Sequence, residues 1–125
     1  MLKKIRLELA RSDEFPEGSN AHGYEFVAPL DHNGKIDKTR WDDSRDKCRV
    51  VRFWGSDEHE HGHLVRRGGS GWAFNYEKAG DIDIDDEAGY RFSDHAFRPG
   101  EYVSLAEQGG DTNTFRVVRV TELPK

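Results

Sequence analysis

Three histidines at alternate positions form the most distinctive group of chemistry-bearing residues in this chain. The segment Asp57-Glu58-His59-Glu60-His61-Gly62-His63 places His59, His61 and His63 two residues apart. In an extended backbone, side chains two residues apart project to the same side. Neutral imidazole nitrogens bind zinc, nickel or copper, and a nearby carboxylate or His95 would complete the shell. The pattern therefore indicates a candidate metal site of His59, His61, His63 and His95, whose affinity falls as the imidazoles protonate.

The same segment is also typical of a solvated polar loop between strands. Gly62 within it, and Gly55 and Ser56 just before it, do not fix the geometry that a catalytic metal site needs. A His-X-His pair on a β scaffold is similar to the first motif of cupins, but that motif requires a glutamate a few residues later. Residues 62–69 contain no glutamate and offer Arg66 and Arg67 instead. We therefore do not assign a cupin, and no cofactor is expected unless a divalent metal such as zinc binds the histidines.

Aromatic residues and arginines suggest a second candidate site. Six rings fall on or near the predicted strands of the middle of the chain: Trp54, Trp72, Phe74, Tyr76, Tyr90 and Phe92. Packing in the core would account for them. If some of these rings line one open face, arginines at its edge would complete a surface for a protein partner or a small ligand. The candidate contact residues are Arg66, Arg67, Trp72, Tyr76 and Arg91.

Motifs of known enzymes are missing or incomplete in the sequence. Gly68-Gly69-Ser70-Gly71 misses the nucleophile elbow by one glycine, and Ser93-Asp94-His95 holds triad residue types only as sequence neighbours. The acidic run from Asp81 to Glu87 lacks the calcium-loop pattern. The leading hypothesis is thus a non-enzymatic binding or accessory module with an aromatic and arginine-bearing face. The alternative is a metal-binding protein, with metalloenzyme activity left open.

Composition and charge narrow the partners and the compartment. The formal net charge of -5 argues against a nucleic-acid partner, because phosphate binding depends on clustered lysine and arginine. The single cysteine, Cys48, has no partner for an internal disulfide, which favours a reducing, cytoplasmic environment. Arg6 and Glu8 interrupt the apolar start that a signal peptide needs. No stretch approaches the ~18 apolar residues of a membrane-spanning helix, so no membrane association is expected.

The positioning elements are predicted to be short antiparallel strands in one domain, residues 1–125. Ile5, Leu7 and Leu9 alternate with polar residues and predict a first strand with one apolar face. Residues 49–54 include apolar side chains at both odd and even positions, which indicates an interior strand covered on both sides. Residues 37–47 indicate an irregular loop with at most one helical turn. Asn33-Gly34 and Pro99-Gly100 predict tight turns. Seven or eight such strands favour a small, partly open β-barrel of about seven strands with little helix, and a two-sheet sandwich is the alternative.

Three segments carry a resemblance to known proteins. Residues 52–55, residues 95–105 and residues 115–118 resemble segments of small uncharacterised bacterial proteins, a likeness that implies no activity. The strand opening Pro99-Gly100-Glu101-Tyr102-Val103 is also similar to those of many small barrels, SH3-like ones among them. This likeness is consistent with a barrel and does not select one family.

Overall fold

A computed structural model of the chain describes residues 2–67, 71–76, 87–90, 92, 95–106 and 112–123, with the backbone alone for residues 67 and 87–90. The described residues form eight strands and a short helix, which is followed by a 3-10 turn. In chain order these are β1 (Leu2–Leu9), β2 (Ser19–Pro29), α1 (Lys38–Asp43), the 3-10 turn (Arg45–Lys47), β3 (Arg49–Trp54), β4 (Glu60–Arg67), β5 (Gly71–Tyr76), β6 (Glu87–Tyr90), β7 (Tyr102–Ala106) and β8 (Thr112–Glu122).

The strands form a closed antiparallel barrel in which each strand pairs with the next one along the chain. Pairing between β1 and β8 completes the ring. At this seam Lys3 Nζ donates a hydrogen bond to a Glu122 carboxylate oxygen at 2.9 Å. The predicted all-β antiparallel barrel with little helix is confirmed. The strands form one ring instead of the two separate sheets of the alternative prediction.

Alternation along the strands places apolar side chains inside the barrel. On β1, Ile5, Leu7 and Leu9 are buried, as their period-2 spacing predicts, whereas the residues between them face outward and are partly exposed. The interior is rich in aromatic rings. Those with essentially no exposed surface are Tyr24, Phe26, Phe74, Phe92, Phe97 and Phe115. Their mutual contacts fill the centre of the barrel, so the ring of strands encloses a packed core.

The helix α1 closes one end of the barrel. It begins after Asp37, whose carboxylate accepts a hydrogen bond from the Arg40 amide at 3.1 Å and so caps the first turn. Trp41 is buried, and its indole N–H donates to the Leu64 carbonyl on β4 at 3.0 Å. The same ring meets Trp72 edge-on, with centroids 5.1 Å apart. The predicted single helical turn is thus a six-residue helix, because capping and Trp41 anchor it.

Both predicted tight turns are present. At the first, the Gly34 amide donates to the Asp31 carbonyl at 2.9 Å and Gly34 has a φ of 81°. At the second, Gly100 has a φ of 96° after Pro99, and the Glu101 amide donates to the Arg98 carbonyl at 3.0 Å. The positive φ of the glycine after proline is that of a type II turn. These two turns reverse the direction of the chain at Gly34 and at Gly100.

Strand β3 lies between β2 and β4, as predicted for an interior strand, but the prediction that both of its faces are covered is wrong. Val51 and Phe53 point outward and are only half-buried, since a barrel has a single layer of strands. The guanidinium of Arg6 lies over the Phe53 ring, 4.3 Å from its centroid, and supplies part of the cover. Alternate residues of the apolar run along β3 therefore point into the core, and the residues between them lie on the outer wall of the barrel.

Candidate functional site

Two charged side chains point into the barrel at the end opposite α1. In the strand pairing, Arg52 on β3 lies directly opposite Tyr24 on β2 and opposite Glu60 on β4. Directly paired residues of antiparallel strands project to the same face of the sheet. Tyr24 is fully buried in the core. Arg52 and Glu60 are therefore inward-facing, at the end of the barrel where β3 ends and β4 begins.

Arg52 contacts both a carboxylate and an aromatic face. Its guanidinium carbon lies 4.3 Å from the centroid of the Trp54 ring, two residues along the same strand. One guanidinium nitrogen donates to a Glu60 carboxylate oxygen at 3.3 Å. The side chains of Arg52 and Glu60 are 16% and 25% exposed, so both are largely shielded yet reachable by solvent. Stacking on the indole and pairing with the carboxylate fix the orientation of the guanidinium.

Two tyrosine hydroxyls complete a group that we term the mouth cluster: Tyr24, Arg52, Trp54, Glu60 and Tyr76. The hydroxyl oxygens of Tyr24 and Tyr76, Arg52 Nε and one carboxylate oxygen of Glu60 are all buried atoms. Beneath the cluster the Tyr24 ring packs on Phe74 and Phe115, with centroid separations of 5.3 and 5.1 Å. The cluster thus combines a positive and a negative group with aromatic rings that pack beneath them.

An aromatic row continues from the mouth cluster to the barrel rim. The Trp54 ring lies 6.3 Å from Phe115 on the inner side and 4.8 Å from His22, edge-on, on the outer side. His22 in turn lies 4.5 Å from Phe15, which belongs to the segment that joins β1 to β2. Its Nδ1 atom shares a hydrogen bond of 2.7 Å with the Ser19 hydroxyl. This hydrogen bond and the ring contacts hold the edge of the mouth in place.

The predicted ligand-contact residues separate between the two ends of the barrel. Arg66 lies opposite Trp72, with its guanidinium 4.9 Å from the Trp72 ring, so these two residues do come together. They do so at the α1 end, where Trp72 is only 3% exposed. Tyr76, also 3% exposed, belongs to the mouth cluster instead. The side chain of Arg67 and the whole of Arg91 lie outside the described residues.

The predicted metal ligands are not brought together. His61 and His63 face outward on β4, opposite Val51 and Arg49, while His59 precedes the strand. His95 lies near the other end of the barrel, two residues before Phe97, whose amide donates to the Gly34 carbonyl at 2.7 Å. In the part of the chain that the structure describes, no three histidine, cysteine, aspartate or glutamate side chains are grouped so that they could hold one metal ion.

A shallow depression of about 460 Å³ lies on the outer wall beside β3, and His59, Phe53, Val51 and Arg6 are among the residues that line it. Arg6 bonds Glu8 at 2.7 Å and Glu25 at 2.8 Å. Partial burial lowers the pKa of Arg6, and the two carboxylates outweigh this effect and raise it. Because these ions lie on a solvated face, their electrostatic interactions with a ligand would be weaker than those of the inward-facing pair of the mouth cluster.

Sequence patterns did not single out Arg52 and Glu60 as site residues, although a signal was present. Arg52 stands between Val50 and Trp54 among the alternate residues of β3 that point into the core, a position where a charge is expensive to desolvate.

No protein-family model, curated protein or solved structure matches the chain, so the evidence for the site is its own geometry. Among the described residues, no helix has the length and apolar character needed to cross a bilayer.

Proposed function

We propose that this protein is a non-enzymatic binding module whose mouth cluster holds a small molecule carrying a flat ring and a charged group. One observation carries the proposal: Arg52 lies inside the barrel, stacked at 4.3 Å on Trp54 and paired at 3.3 Å with Glu60. The sequence predicts an aromatic and arginine-bearing binding face. We propose that this face is formed by β3 and β4 at the mouth cluster, and not by the residues around Arg66 and Trp72.

The energetic argument concerns the desolvation of the two charges. Moving a guanidinium and a carboxylate out of water costs several kcal/mol per ion, and their mutual attraction often only offsets this cost. An apolar pair at Arg52 and Glu60 would serve the fold at least as well. Charged groups placed in a shielded recess are more useful for recognising a ligand, because electrostatic interactions are stronger there than in water.

The architecture suits a small ligand better than a protein partner. The interior of an eight-stranded barrel is just wide enough for side chains to fill, so a ligand held at its mouth has to be small. Ligand sites are commonly lined by aromatic rings with a few fixed polar groups. Trp54, Tyr24 and Tyr76 supply the rings and hydroxyls, while Arg52 and Glu60 supply the charges. A flat protein surface would reach the inward-facing pair poorly.

The metal-binding alternative receives no support from the described geometry, because no three of the candidate histidines are grouped there. It is tested by zinc titration of tag-free protein, followed through the histidine ring signals in NMR spectra. Saturable shifts of His59, His61 and His63 together at one zinc per chain would revive that alternative.

We also infer that the protein works in the cytoplasm. Cys48 is a free, buried thiol, which suits a reducing compartment. The formal net charge of -5 remains the argument against a nucleic-acid partner.

The proposal is tested with ring-bearing probes of different charge. L-phenylalanine, N-acetyl-L-phenylalanine, L-phenylalaninamide and N-acetyl-L-phenylalaninamide share one ring and differ in charge. Each is titrated into isotope-labelled protein while amide and indole signals are recorded. We expect at least one probe to shift the Trp54 indole signal saturably, and Trp54→Leu to abolish binding. Tyr102→Ala, at a 55% exposed position on the outer wall, is the control and should bind as the wild type does. Binding by none of the four probes would overturn the proposal.

A further inference from the structure

We propose that the ligand of the mouth cluster is an amino-acid-like zwitterion, whose carboxylate faces Arg52, whose ammonium faces Glu60 and whose ring lies against Trp54. This inference rests on the proposed function, because it names the chemical class of the ligand held at the same site. It begins from the two opposite charges that the barrel places side by side in a partly buried position.

The charge balance of the pair favours a ligand with both signs. A purely anionic ligand would have to compete with Glu60 for the guanidinium and would place two carboxylates close together. A purely cationic ligand would repel Arg52 in the same way. Like charges in a shielded site disfavour binding strongly. A zwitterion meets each of these two protein charges with its opposite.

The spacing of the charges agrees with this class. The Arg52 nitrogen and the Glu60 oxygen are 3.3 Å apart. In an α-amino acid one carbon joins the ammonium to the carboxylate, so that nitrogen and oxygen lie about 3 Å apart by ordinary bond lengths. The two dipoles are thus of similar length and can lie antiparallel. Longer zwitterions, with several carbons between the charges, would overreach the pair.

The rings around the pair select an aromatic or large apolar side chain. Trp54 packs partly against the core and also contacts His22 at 4.8 Å, so its ring forms a wall between the charges and the rim. Offset or edge-on contact of a ligand ring with this wall adds to the burial of apolar surface. A small side chain such as that of glycine would leave the wall unused.

The experiment compares the same four phenylalanine derivatives by titration calorimetry. We expect L-phenylalanine to bind the wild type about tenfold more tightly than either singly charged derivative, since one charge-assisted contact is lost in each case. Glu60→Gln should remove the preference for the ammonium, so that N-acetyl-L-phenylalanine binds as tightly as L-phenylalanine or more tightly. Arg52→Gln should remove the preference for the carboxylate in the same manner.

The outcomes separate this inference from the proposed function. If the singly charged or neutral derivatives match L-phenylalanine on the wild type, the zwitterion is wrong while the binding module stands. If Glu60→Gln and Arg52→Gln leave the ranking unchanged, the inference is likewise overturned. If no derivative binds, both proposals fail. Glycine and 6-aminohexanoate serve as probes of the ring and of the charge spacing, and tight binding of either would contradict the stated class.

Discussion

Trp72 and Tyr76 lie on the same inward face of β5, yet they serve opposite ends of the barrel. Trp72 meets Trp41 edge-on at 5.1 Å beneath the helix α1. Tyr76, four residues further along, lies opposite Gly62 and carries its buried hydroxyl to the mouth cluster. One strand thus connects an end that the helix closes with an end where charged groups enter the interior. We therefore propose that the first end serves stability and the second end serves recognition.

The closed end is tested at Trp41. Trp41→Phe removes the donor to the Leu64 carbonyl, and leaving this buried acceptor unsatisfied should cost about 1–3 kcal/mol of unfolding free energy. Trp41→Ala should cost about 3–5 kcal/mol because it also leaves a cavity. Urea denaturation measures both variants. Affinity for L-phenylalanine should not change in folded Trp41→Phe, and a large loss of affinity would contradict the division between the two ends.

The charged pair is tested by a double-mutant cycle. Arg52→Met alone should lower the unfolding free energy by about 1–3 kcal/mol, because it leaves the Glu60 carboxylate partly buried without its cation. The combined Arg52→Met and Glu60→Leu variant should lie within about 1 kcal/mol of the wild type, since an apolar pair avoids the desolvation cost. Denaturant midpoints measure the cycle. A double variant as unstable as the sum of the single variants would show that the two side chains stabilise the fold independently of each other, which would contradict this expectation.

A substitution at Gly62 tests whether β4 and β5 approach each other too closely for a side chain at this position. A Cβ atom at this position would lie 2.1 Å from the Asn75 carbonyl oxygen, so Gly62→Ala must displace backbone. We expect a loss of about 3 kcal/mol or more. Gly100→Ala is the matched control: a Cβ there meets nothing within 4 Å, but the φ of +96° disfavours alanine by about 1–2 kcal/mol. Equal losses in the two variants would contradict steric contact at Gly62.

The pH dependence of stability is tested at Cys48. Burial, with a smaller contribution from Asp46, raises the pKa of this thiol from its ordinary value of 9.0 to about 11. The unfolded thiol therefore ionises first, and the free energy of unfolding should fall as pH rises from about 9 to about 11, by about 1.4 kcal/mol per unit. Below this window the thiol is neutral in both states and contributes no slope. Cys48→Ala should lack this component, and identical slopes in the two proteins would contradict it.

The period-2 pattern was sufficient to predict the fold class, because alternation on β1 and the turns at Gly34 and Gly100 depend on local chemistry. Closure of the ring could not be read locally, since pairing of β1 with β8 joins residues more than a hundred positions apart. The same limit applies to the site. Arg52 and Glu60 stand in different strands, and only the register that pairs them shows that they face each other.

The histidine prediction depended on which side of β4 the alternating residues face. Alternate spacing does place His61 and His63 on one side of β4, as predicted, but that side faces outward. Which side of a strand faces the core depends on the parity of the whole strand, and Leu64 fixes it here because its side chain is buried. His95 belongs to a segment at the other end of the barrel, so sequence spacing alone could not exclude it from the set.

The location of the binding site is tested most directly by intermolecular nuclear Overhauser effects between isotope-labelled protein and unlabelled L-phenylalanine. We predict contacts from the ligand ring protons to the Trp54 indole and the Tyr76 ring, with the ligand Cα proton near the Arg52 side chain. Contacts confined to outer-wall residues such as Tyr102 or Phe53, or no contacts at a saturating ligand concentration, would contradict the assignment of recognition to the mouth cluster.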